Sequence, residues 1–267
     1  MSIYLSPFIT AYACLLAFIF GAVFASFLGC YAYRICKGES IVKGRSHCDS
    51  CGHELKLFDL IPIVSYLARG GRCKYCGKKI SPSCFWGEVV LALLFMVCTL
   101  KFDLTPYLVI ALFFVCILYM ITLTDLQERI IPNRCVIAAI LVRILYFFVT
   151  GEGNFKAFLW LLAKGLLVSV PVLLLTLLVE AVLNKEALGG GDIKLLFVLG
   201  MYLGLGNSLF MLLVACILGI IGAAITMKQE EAEGSIAIPF GPYLAAGSVA
   251  ALLFGNSVIT WYLSLFL

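Results

Sequence analysis

The chain has 267 residues, of which 63% are hydrophobic and only 13% are charged. A soluble protein carries about 25% charged residues, so this composition excludes an ordinary soluble globular protein. Three stretches of more than thirty residues contain no Asp, Glu, Lys or Arg: 1–33, 195–227 and 234–267. Because about 20 apolar residues are enough to cross a bilayer, the sequence predicts a polytopic membrane protein.

The net charge of +4 is distributed unevenly along the chain. No Lys or Arg precedes Arg34, and the interval from Arg34 to Lys79 contains ten basic residues against four acidic ones. Basic residues in short loops remain on the cytoplasmic side of a membrane. We therefore expect an outward-facing N-terminus and a cytoplasmic location for this interval. The orientation rule explains the basic excess, so the sequence indicates no nucleic-acid partner.

Residues 8–33 form the first predicted span. Its apolar run is too long for a signal peptide and no basic region precedes it, so we interpret it as a retained span. Residues 34–84 are the only polar stretch long enough for a small extramembrane domain. Further spans are predicted at 85–100, 104–124, from 135 to 150, 157–183, 195–206, from there to 227, and 238–255, with an apolar tail at 257–267 that is too short to cross.

These segments predict an all-α polytopic membrane protein of about eight transmembrane helices, with both ends outside. Its predicted parts are a first helix at 1–33, a cytoplasmic domain at 34–84 and a multi-helix membrane domain at 85–267. The cytoplasmic domain is inserted directly after the first helix.

Two copies of the pattern Cys-x-x-Cys-Gly lie in the polar segment, with 21 residues between Cys51 and Cys73. This spacing is typical of a four-cysteine structural zinc site, or zinc ribbon. A disulfide or redox pair is the alternative, although a cytoplasmic location disfavours stable disulfides. His47 and His53 are interpreted as neighbours of the site rather than ligands. The predicted zinc ligands are Cys48, Cys51, Cys73 and Cys76.

Two of the five aspartates occupy matching positions. Asp125 follows the third predicted span and Asp192 precedes the sixth, so two crossings return the chain to the same membrane face. We therefore expect the two carboxylates to lie at the cytoplasmic edge, where they could converge. Two close carboxylates share one proton, so the pair can act as a base toward water and as an acid toward a peptide carbonyl. The pattern favours an aspartic peptidase.

Three glycines precede Asp192, at positions 189 to 191. A peptide substrate in extended form needs close approach to backbone groups, and glycines leave room for it. The alternatives stay open: the glycines also suit an ordinary loop, and each aspartate alone suits an interfacial residue. Lys194 is either a membrane anchor or a substrate contact. The spacing does not exclude the other inner-side acids, Glu128, Glu180 and Glu186.

These motifs resemble those of the type IV prepilin peptidases, which are membrane aspartic proteases with a Gly-x-Gly-Asp motif. The stretches "TDLQERIIPN" and "GGGDIKLL" match the two aspartate motifs. In addition, "CDSC", "GRCKYCGKKIS", "GEVV" and "IPFGPYLAAG" follow the family's order. The resemblance implies that Asp125 and Asp192 cleave a prepilin leader at the cytoplasmic membrane face, usually between Gly and Phe. Glu88 matches the Glu that follows the family's N-terminal domain. The predicted substrate contacts are Gly189, Gly191, Lys194 and Glu88.

The resemblance further implies N-methylation of the new N-terminus, with S-adenosyl-L-methionine as methyl donor and the N-terminal cytoplasmic domain implicated. The sequence contains no recognisable nucleotide-binding motif, "CDSC" lacks the family's common Pro, and Asn133 stands where Asp is frequent. Two alternatives therefore remain: a peptidase without methylation, and a non-catalytic assembly protein whose zinc domain docks a secretion component. The expected partners are type IV prepilins or pseudopilins and the lipid bilayer of the bacterial inner membrane.

Overall fold

The computed structural model describes residues 6–40, 44–151, 154–184, 188–229 and 239–265, except for the side chains of 226–229. Within these ranges the chain is helical, and it forms isolated β-bridges but no strand. The prediction of an all-α fold is confirmed. The helices are α1 (Pro7–Lys37), α2 (Val64–Ala68), α3 (Pro82–Phe102), α4 (Pro106–Glu128), α5 (Asn133–Val149), α6 (Phe155–Leu183), α7 (Gly190–Leu203), α8 (Leu205–Gln229) and α9 (Gly241–Leu263).

Six helices of the described chain are long and apolar enough to cross a membrane, namely α1, α3, α4, α6, α8 and α9. The protein is therefore a multi-pass membrane protein. The fourth and sixth predicted spans correspond to α5 and α7, which have 17 and 14 residues. At about 1.5 Å per residue α7 extends about 21 Å, which is less than the hydrocarbon thickness of about 30 Å. Helix α7 is thus too short to cross alone.

Three helix boundaries differ from those expected. Helix α4 continues to Glu128 and includes Asp125, and α7 begins at Gly190, so two of the three glycines are helical. Tertiary packing overrides the low helix propensity of glycine here. Helix α9 continues to Leu263 and incorporates most of the apolar tail at 257–267.

The chain forms two compact units, Met1–Thr124 and Asp125–Leu267. In the first unit α1 packs against α3 at Gly21, where an added Cβ would lie 2.7 Å from the Ala92 Cα. The two backbones therefore touch directly. The division into 1–33, 34–84 and 85–267 rests on composition and stays a prediction.

In the second unit α7 occupies the centre. It packs against α5, α6, α8 and α9, and half of its residues are buried. Its closest crossing is with α6, where a Cβ on Gly200 would lie 2.7 Å from the Lys164 carbonyl oxygen and 2.9 Å from the Gly165 Cα. No side chain fits between these backbones. This tight packing fixes the position of the helix whose first turn contains Asp192.

Candidate active site and metal centre

Asp125 lies in the last turn of α4 and is buried. Helix α4 ends directly afterwards, because Arg129 adopts a left-handed conformation (φ 56°) and its N–H donates to the Asp125 carbonyl oxygen. The side chain of Asp125 is held separately: its Oδ2 accepts a hydrogen bond of 2.8 Å from the backbone N–H of Gly241. The carboxylate is therefore fixed by the first residue of α9.

Gly241 approaches Asp125 too closely to carry a side chain. A Cβ at this position would lie 2.8 Å from Oδ2 and 3.1 Å from Cγ of Asp125. In addition, the N–H groups of a helix N-terminus favour a negative charge. Gly241 thus supplies both the donor and the space that the carboxylate requires.

Asp192 lies in the first turn of α7, after the N-cap residue Gly189. Its backbone N–H donates to the Gly189 carbonyl oxygen at 3.0 Å. Its Oδ1 is buried and has no hydrogen-bond partner among the described residues. A buried polar atom of this kind normally has a partner, so this oxygen is available to a water or a substrate group.

The three glycines before Asp192 have different surroundings. A Cβ on Gly189 would lie 3.3 Å from Oδ2 of Asp192, and one on Gly191 would lie 3.1 Å from Cβ of Ile131. A Cβ on Gly190 would have no described atom within 4 Å. Gly189 and Gly191 therefore permit close packing, whereas Gly190 faces open space next to the carboxylate.

The two aspartates lie in one electrostatic environment. The charge of Asp125 acts on the Asp192 carboxylate, and Asp192 is partly withdrawn from solvent. Mutual repulsion in a partly dry site disfavours the doubly ionised pair, so we expect one carboxyl of the pair to keep a proton. The convergence of the two aspartates into one site stays a prediction.

Three side-chain hydrogen bonds join α5 to α7. At the end near Asp192, the Lys194 ammonium group donates to Oδ1 of Asn133 at 3.0 Å. Further along, the Tyr202 hydroxyl donates to the Ala139 carbonyl oxygen at 2.8 Å. Arg143 Nε donates to the Met201 carbonyl oxygen at 3.1 Å, at the C-terminal end of α7 where a cation is favourable. Lys194, expected as an anchor or a substrate contact, thus has an internal partner.

Glu88, expected as a substrate contact, lies in the second turn of α3 within the first unit. Its Oε2 accepts a hydrogen bond of 2.7 Å from the backbone N–H of Ile63. Ile63 has φ 62° and ψ −55°, and the N–H of Val64 donates to the Pro62 carbonyl oxygen. This is a γ-turn of the strained hand, which is unusual for a β-branched residue. Glu88 therefore holds a strained turn of the predicted domain at residues 34–84, which we call the polar domain.

The polar domain contains two matching tight turns, one around each Cys-x-x-Cys-Gly pattern, which we call the knuckles. In each, the N–H of the first cysteine donates to the carbonyl oxygen five residues on, and the glycine N–H donates to the carbonyl oxygen of the first cysteine. Gly52 and Gly77 have φ of 68° and 71°, a conformation that favours glycine. The four sulfur atoms, from Cys48, Cys51, Cys73 and Cys76, lie within 4.8 Å of one another.

The sulfur geometry fits a tetrahedral zinc ion. Zinc–sulfur bonds of about 2.3 Å place tetrahedral sulfurs about 3.8 Å apart, and Sγ of Cys48 lies 4.0 Å from Sγ of Cys76. His47 and His53 are not in the cluster that the described residues form; instead, the His53 ring lies 3.6 Å from the Tyr75 ring centre. The interpretation of the histidines as neighbours agrees with this arrangement.

The four thiols differ in how readily they lose a proton. The backbone N–H groups of Cys76 and Tyr75 lower the pKa of Cys73 to about 7. The N–H of His53 acts in the same direction on Cys51, but burial and the thiols of Cys48 and Cys76 outweigh it and raise the pKa of Cys51 to about 11. Four thiolates at this distance repel one another, so full deprotonation requires a bound cation.

Asp59 connects the segment between the two knuckles to the second knuckle. Its carboxylate accepts hydrogen bonds from the Lys56 N–H and the Tyr75 hydroxyl, both at 3.0 Å, and pairs with Arg69. The Lys56 N–H is the main cause, with Tyr75 and Arg69, that lowers the pKa of Asp59 to about 2 against the effect of burial. Asp59 is therefore a structural carboxylate of this domain.

Gly241 is the site residue that sequence reasoning missed. It lies 116 positions from Asp125, so no local pattern connects the two. A signal was nevertheless present in "IPFGPYLAAG", where a Gly-Pro pair begins the last apolar segment. In the topology of eight spans predicted from hydropathy, the start of this segment is expected on the same side of the membrane as the aspartates.

Two family models match the chain in order. Residues 19–102 match the bacterial peptidase A24 N-terminal domain, and residues 112–224 match the type IV leader peptidase family. The first match contains the cysteine cluster and Glu88, and the second contains both aspartates. No solved structure matches the chain.

Curated relatives match along most of the chain, and all three described here are named prepilin leader peptidase/N-methyltransferase. The Bacillus subtilis protein is 34% identical over 93% of this chain and 97% of its own length. The Myxococcus xanthus protein is 34% identical over 76% of this chain and 61% of its own length, and the Pseudomonas aeruginosa protein is 30% identical over 84% and 76%. The chain therefore belongs to the type IV leader peptidase family.

Proposed function

We propose that this protein is a membrane aspartic endopeptidase that removes the leader peptide of type IV prepilins or pseudopilins. The observation that carries the proposal is the shared environment of Asp125 and Asp192, with Asp125 held by Gly241 and one oxygen of Asp192 without a partner. The family membership and the names of the relatives support the substrate class.

In the proposed reaction the ionised carboxylate takes a proton from water, and the water oxygen attacks the scissile peptide carbonyl carbon. The protonated carboxyl donates its proton to the carbonyl oxygen, which gives a tetrahedral gem-diol. The C–N bond then breaks, and the amine leaves with a proton returned by the carboxyl pair. No covalent intermediate forms between enzyme and substrate, so no Ser, Cys or His is needed.

The glycine stretch supports access for a peptide backbone. Gly190 faces open space among the described residues, directly before the turn that contains Asp192. An extended substrate could approach here without meeting a side chain, which extends the predicted substrate-contact role of Gly189 and Gly191. Lys194 contributes differently, because its bond to Asn133 orients α7 beneath the site.

We also propose that the protein methylates the new N-terminal amine. S-adenosyl-L-methionine, when bound, would supply the methyl group. The names of the relatives and the match of the N-terminal domain model support this activity. The described residues do not single out a position for the cofactor's adenosine, so the cofactor rests on family membership alone.

The four cysteines are proposed to hold a structural zinc ion. Cys48, Cys51, Cys73 and Cys76 would all ligate it as thiolates, which leaves no open position for catalysis. The ion would stabilise a domain whose described part contains one short helix and two β-bridges. We further propose a location in the bacterial inner membrane, with the carboxylate pair and the cysteine cluster facing the cytoplasm and no nucleic-acid partner.

Co-expression with a candidate prepilin tests the proposal. Wild-type protein should shorten the prepilin, and the mass of the mature N-terminus should show an added methyl group. A shortened but unmethylated product in the presence of the methyl donor would support the peptidase activity and contradict the methyltransferase activity. An assembly protein without catalytic activity predicts the opposite pattern: Cys48→Ser abolishes assembly while Asp125→Asn and Asp192→Asn remain competent.

A further inference from the structure

The polar domain exposes a compact set of large apolar side chains, which we call the apolar patch. Leu57 and Phe58 are 83% and 80% exposed, although most residues around them are polar or charged. Exposed apolar side chains that occur singly need no explanation, but a contiguous group indicates an interaction surface. The apolar patch consists of Leu57, Phe58, Ile61, Val64 and Leu67.

The apolar patch is held outward by a defined local structure. Leu57 and Phe58 lie in a 3-10 turn that ends at Asp59, and Asp59 is turned inward. The bonds of Asp59 to Lys56, Tyr75 and Arg69 fix the turn to the second cysteine knuckle. Because the inward position is occupied by a fully bonded carboxylate, the apolar neighbours are directed away from the domain.

The apolar patch is also fixed to the start of a membrane-spanning helix. Between Ile61 and Val64 the backbone passes through the strained γ-turn, whose Ile63 N–H donates to Glu88 in the second turn of α3. One turn further along α2, the Tyr66 ring stacks on the Phe85 ring with 4.9 Å between centres. Helix α2 therefore lies against the first turns of α3, where that helix enters the bilayer.

An exposed apolar stripe continues from this point along α3. The Phe85 ring contacts the Trp86 ring at 5.4 Å, and Trp86 is exposed. The exposed residues that follow, Val90, Leu93 and Val97, recur at helical spacing and form one face of a membrane-spanning helix. Tryptophan is enriched at the level of the lipid headgroups. The apolar patch thus adjoins the lipid-facing side of α3 at headgroup level.

The charges around the apolar patch suit an anionic surface. Lys56 precedes it and Arg72 follows it, both exposed, within an interval that contains ten basic residues and four acidic ones. An apolar face flanked by Lys and Arg is the composition of segments that lie in a membrane interface. Each basic residue near an anionic leaflet contributes about 1 kcal/mol of attraction.

We propose that the apolar patch inserts into the headgroup region of the leaflet at which α3 begins, and so fixes the cysteine domain flat against the bilayer. The binding partner of the apolar patch is anionic lipid. This inference requires only the membrane location, and it is independent of the proposed peptidase activity. The strained turn held by Glu88 aims the apolar patch at the bilayer, which gives the strain a role.

Fluorescence quenching in vesicles tests this placement. The full-length protein, with Trp86, Trp160 and Trp261 changed to Phe, receives one new reporter as Phe58→Trp or, separately, Leu67→Trp. The vesicles contain phosphatidylglycerol and brominated phosphatidylcholine. Ser50→Trp is the matched control, because Ser50 is exposed in the turn between Cys48 and Cys51 and is not part of the apolar patch. Retained zinc content shows that each variant is folded.

The expected result is that brominated lipid lowers the fluorescence of either patch variant about two-fold relative to the control, because an interfacial side chain is buried about 5–10 Å into the headgroup boundary. Acrylamide in the aqueous phase should quench only the control. Equal acrylamide quenching of all three variants would overturn the proposal, as would protection from both quenchers, which indicates cover by protein. Protection that requires an added prepilin would assign the apolar patch to the substrate and also overturn it.

Discussion

The cysteine cluster and the carboxylate pair are built in opposite ways. The four cysteines lie within residues 48–76, and each pair is positioned by its own tight turn. The two aspartates are separated by two complete helices, α5 and α6, and the donor that fixes Asp125 comes from α9, 116 positions away. One site is therefore built from local turns, and the other from the packing of helices.

This difference assigns different tasks to the two sites. Four thiolates would saturate the proposed zinc ion, so the cluster would supply stability to a small domain. The carboxylate pair keeps an oxygen without a partner and open space beside Gly190, so it can bind and react. If this division is correct, changes to the carboxylate site should abolish cleavage in a folded protein, whereas changes to the cluster should first affect the fold.

The largest expected effect is from Asp125→Asn or Asp192→Asn. Each change removes one partner of the shared proton while keeping the shape of the side chain, so prepilin cleavage should fall at least about 10³-fold. Glu128→Gln is the matched control, because Glu128 ends the same helix as Asp125. Cleavage rates of the purified proteins in detergent measure the effect. Full activity of either aspartate variant would remove the pair from the mechanism.

The next effect is expected from Gly241→Ala. The added methyl group would lie 2.8 Å from Oδ2 of Asp125, so the carboxylate must move. A shift of about 1 Å at a reacting group costs about 10²-fold in rate, with the substrate KM nearly unchanged. Gly219→Ala is the control, because its methyl group would make an ordinary contact at 3.5 Å with Phe240. Equal cleavage rates for Gly241→Ala and Gly219→Ala would contradict the close approach of Gly241 to the Asp125 carboxylate.

The parts that sequence predicted well are those with local or periodic signals. The repeated Cys-x-x-Cys-Gly pattern predicted the knuckles, because each glycine must adopt a positive φ immediately after its pair. Hydropathy predicted the membrane helices. The placement of Asp125 and Asp192 on one side of the membrane rests on a count of crossings and stays a prediction. These inferences need only periodicity and parity, and neither depends on how helices pack.

The parts that sequence missed depend on tertiary contacts. The helical state of Gly190 and Gly191 contradicts their propensity, and the packing of α7 on its neighbours decides it. The Gly241–Asp125 contact has no local signature. The strained turn at Ile63 was also invisible, because a β-branched residue gives no sign of positive φ and its partner Glu88 is distant in the chain.

A smaller effect on cleavage is expected when the cysteine cluster is broken. Cys73→Ser should abolish zinc binding, measured by atomic absorption, and should make residues 44–80 sensitive to protease, because small metal-bound domains unfold without the ion. Cleavage should fall by no more than about ten-fold if the carboxylate site folds separately. Cys84→Ser is the control, since Cys84 is exposed and outside the cluster. Retention of stoichiometric zinc by Cys73→Ser would remove this residue from the ligand set.

The smallest effect on cleavage is expected when the contact between Lys194 and Asn133 is removed. Substitutions at these two residues distinguish a lysine that orients α7 from one that binds substrate. An exposed hydrogen bond of this kind contributes little, so Lys194→Met and Asn133→Ala should each lower kcat/KM by about three-fold. If the lysine acts only by orienting α7, the double variant should be no worse than either single variant, because both remove the same contact. If Lys194 also binds substrate, Lys194→Met should raise KM while Asn133→Ala does not. A steady-state comparison of the three variants decides between a lysine that positions the site and one that contacts the prepilin.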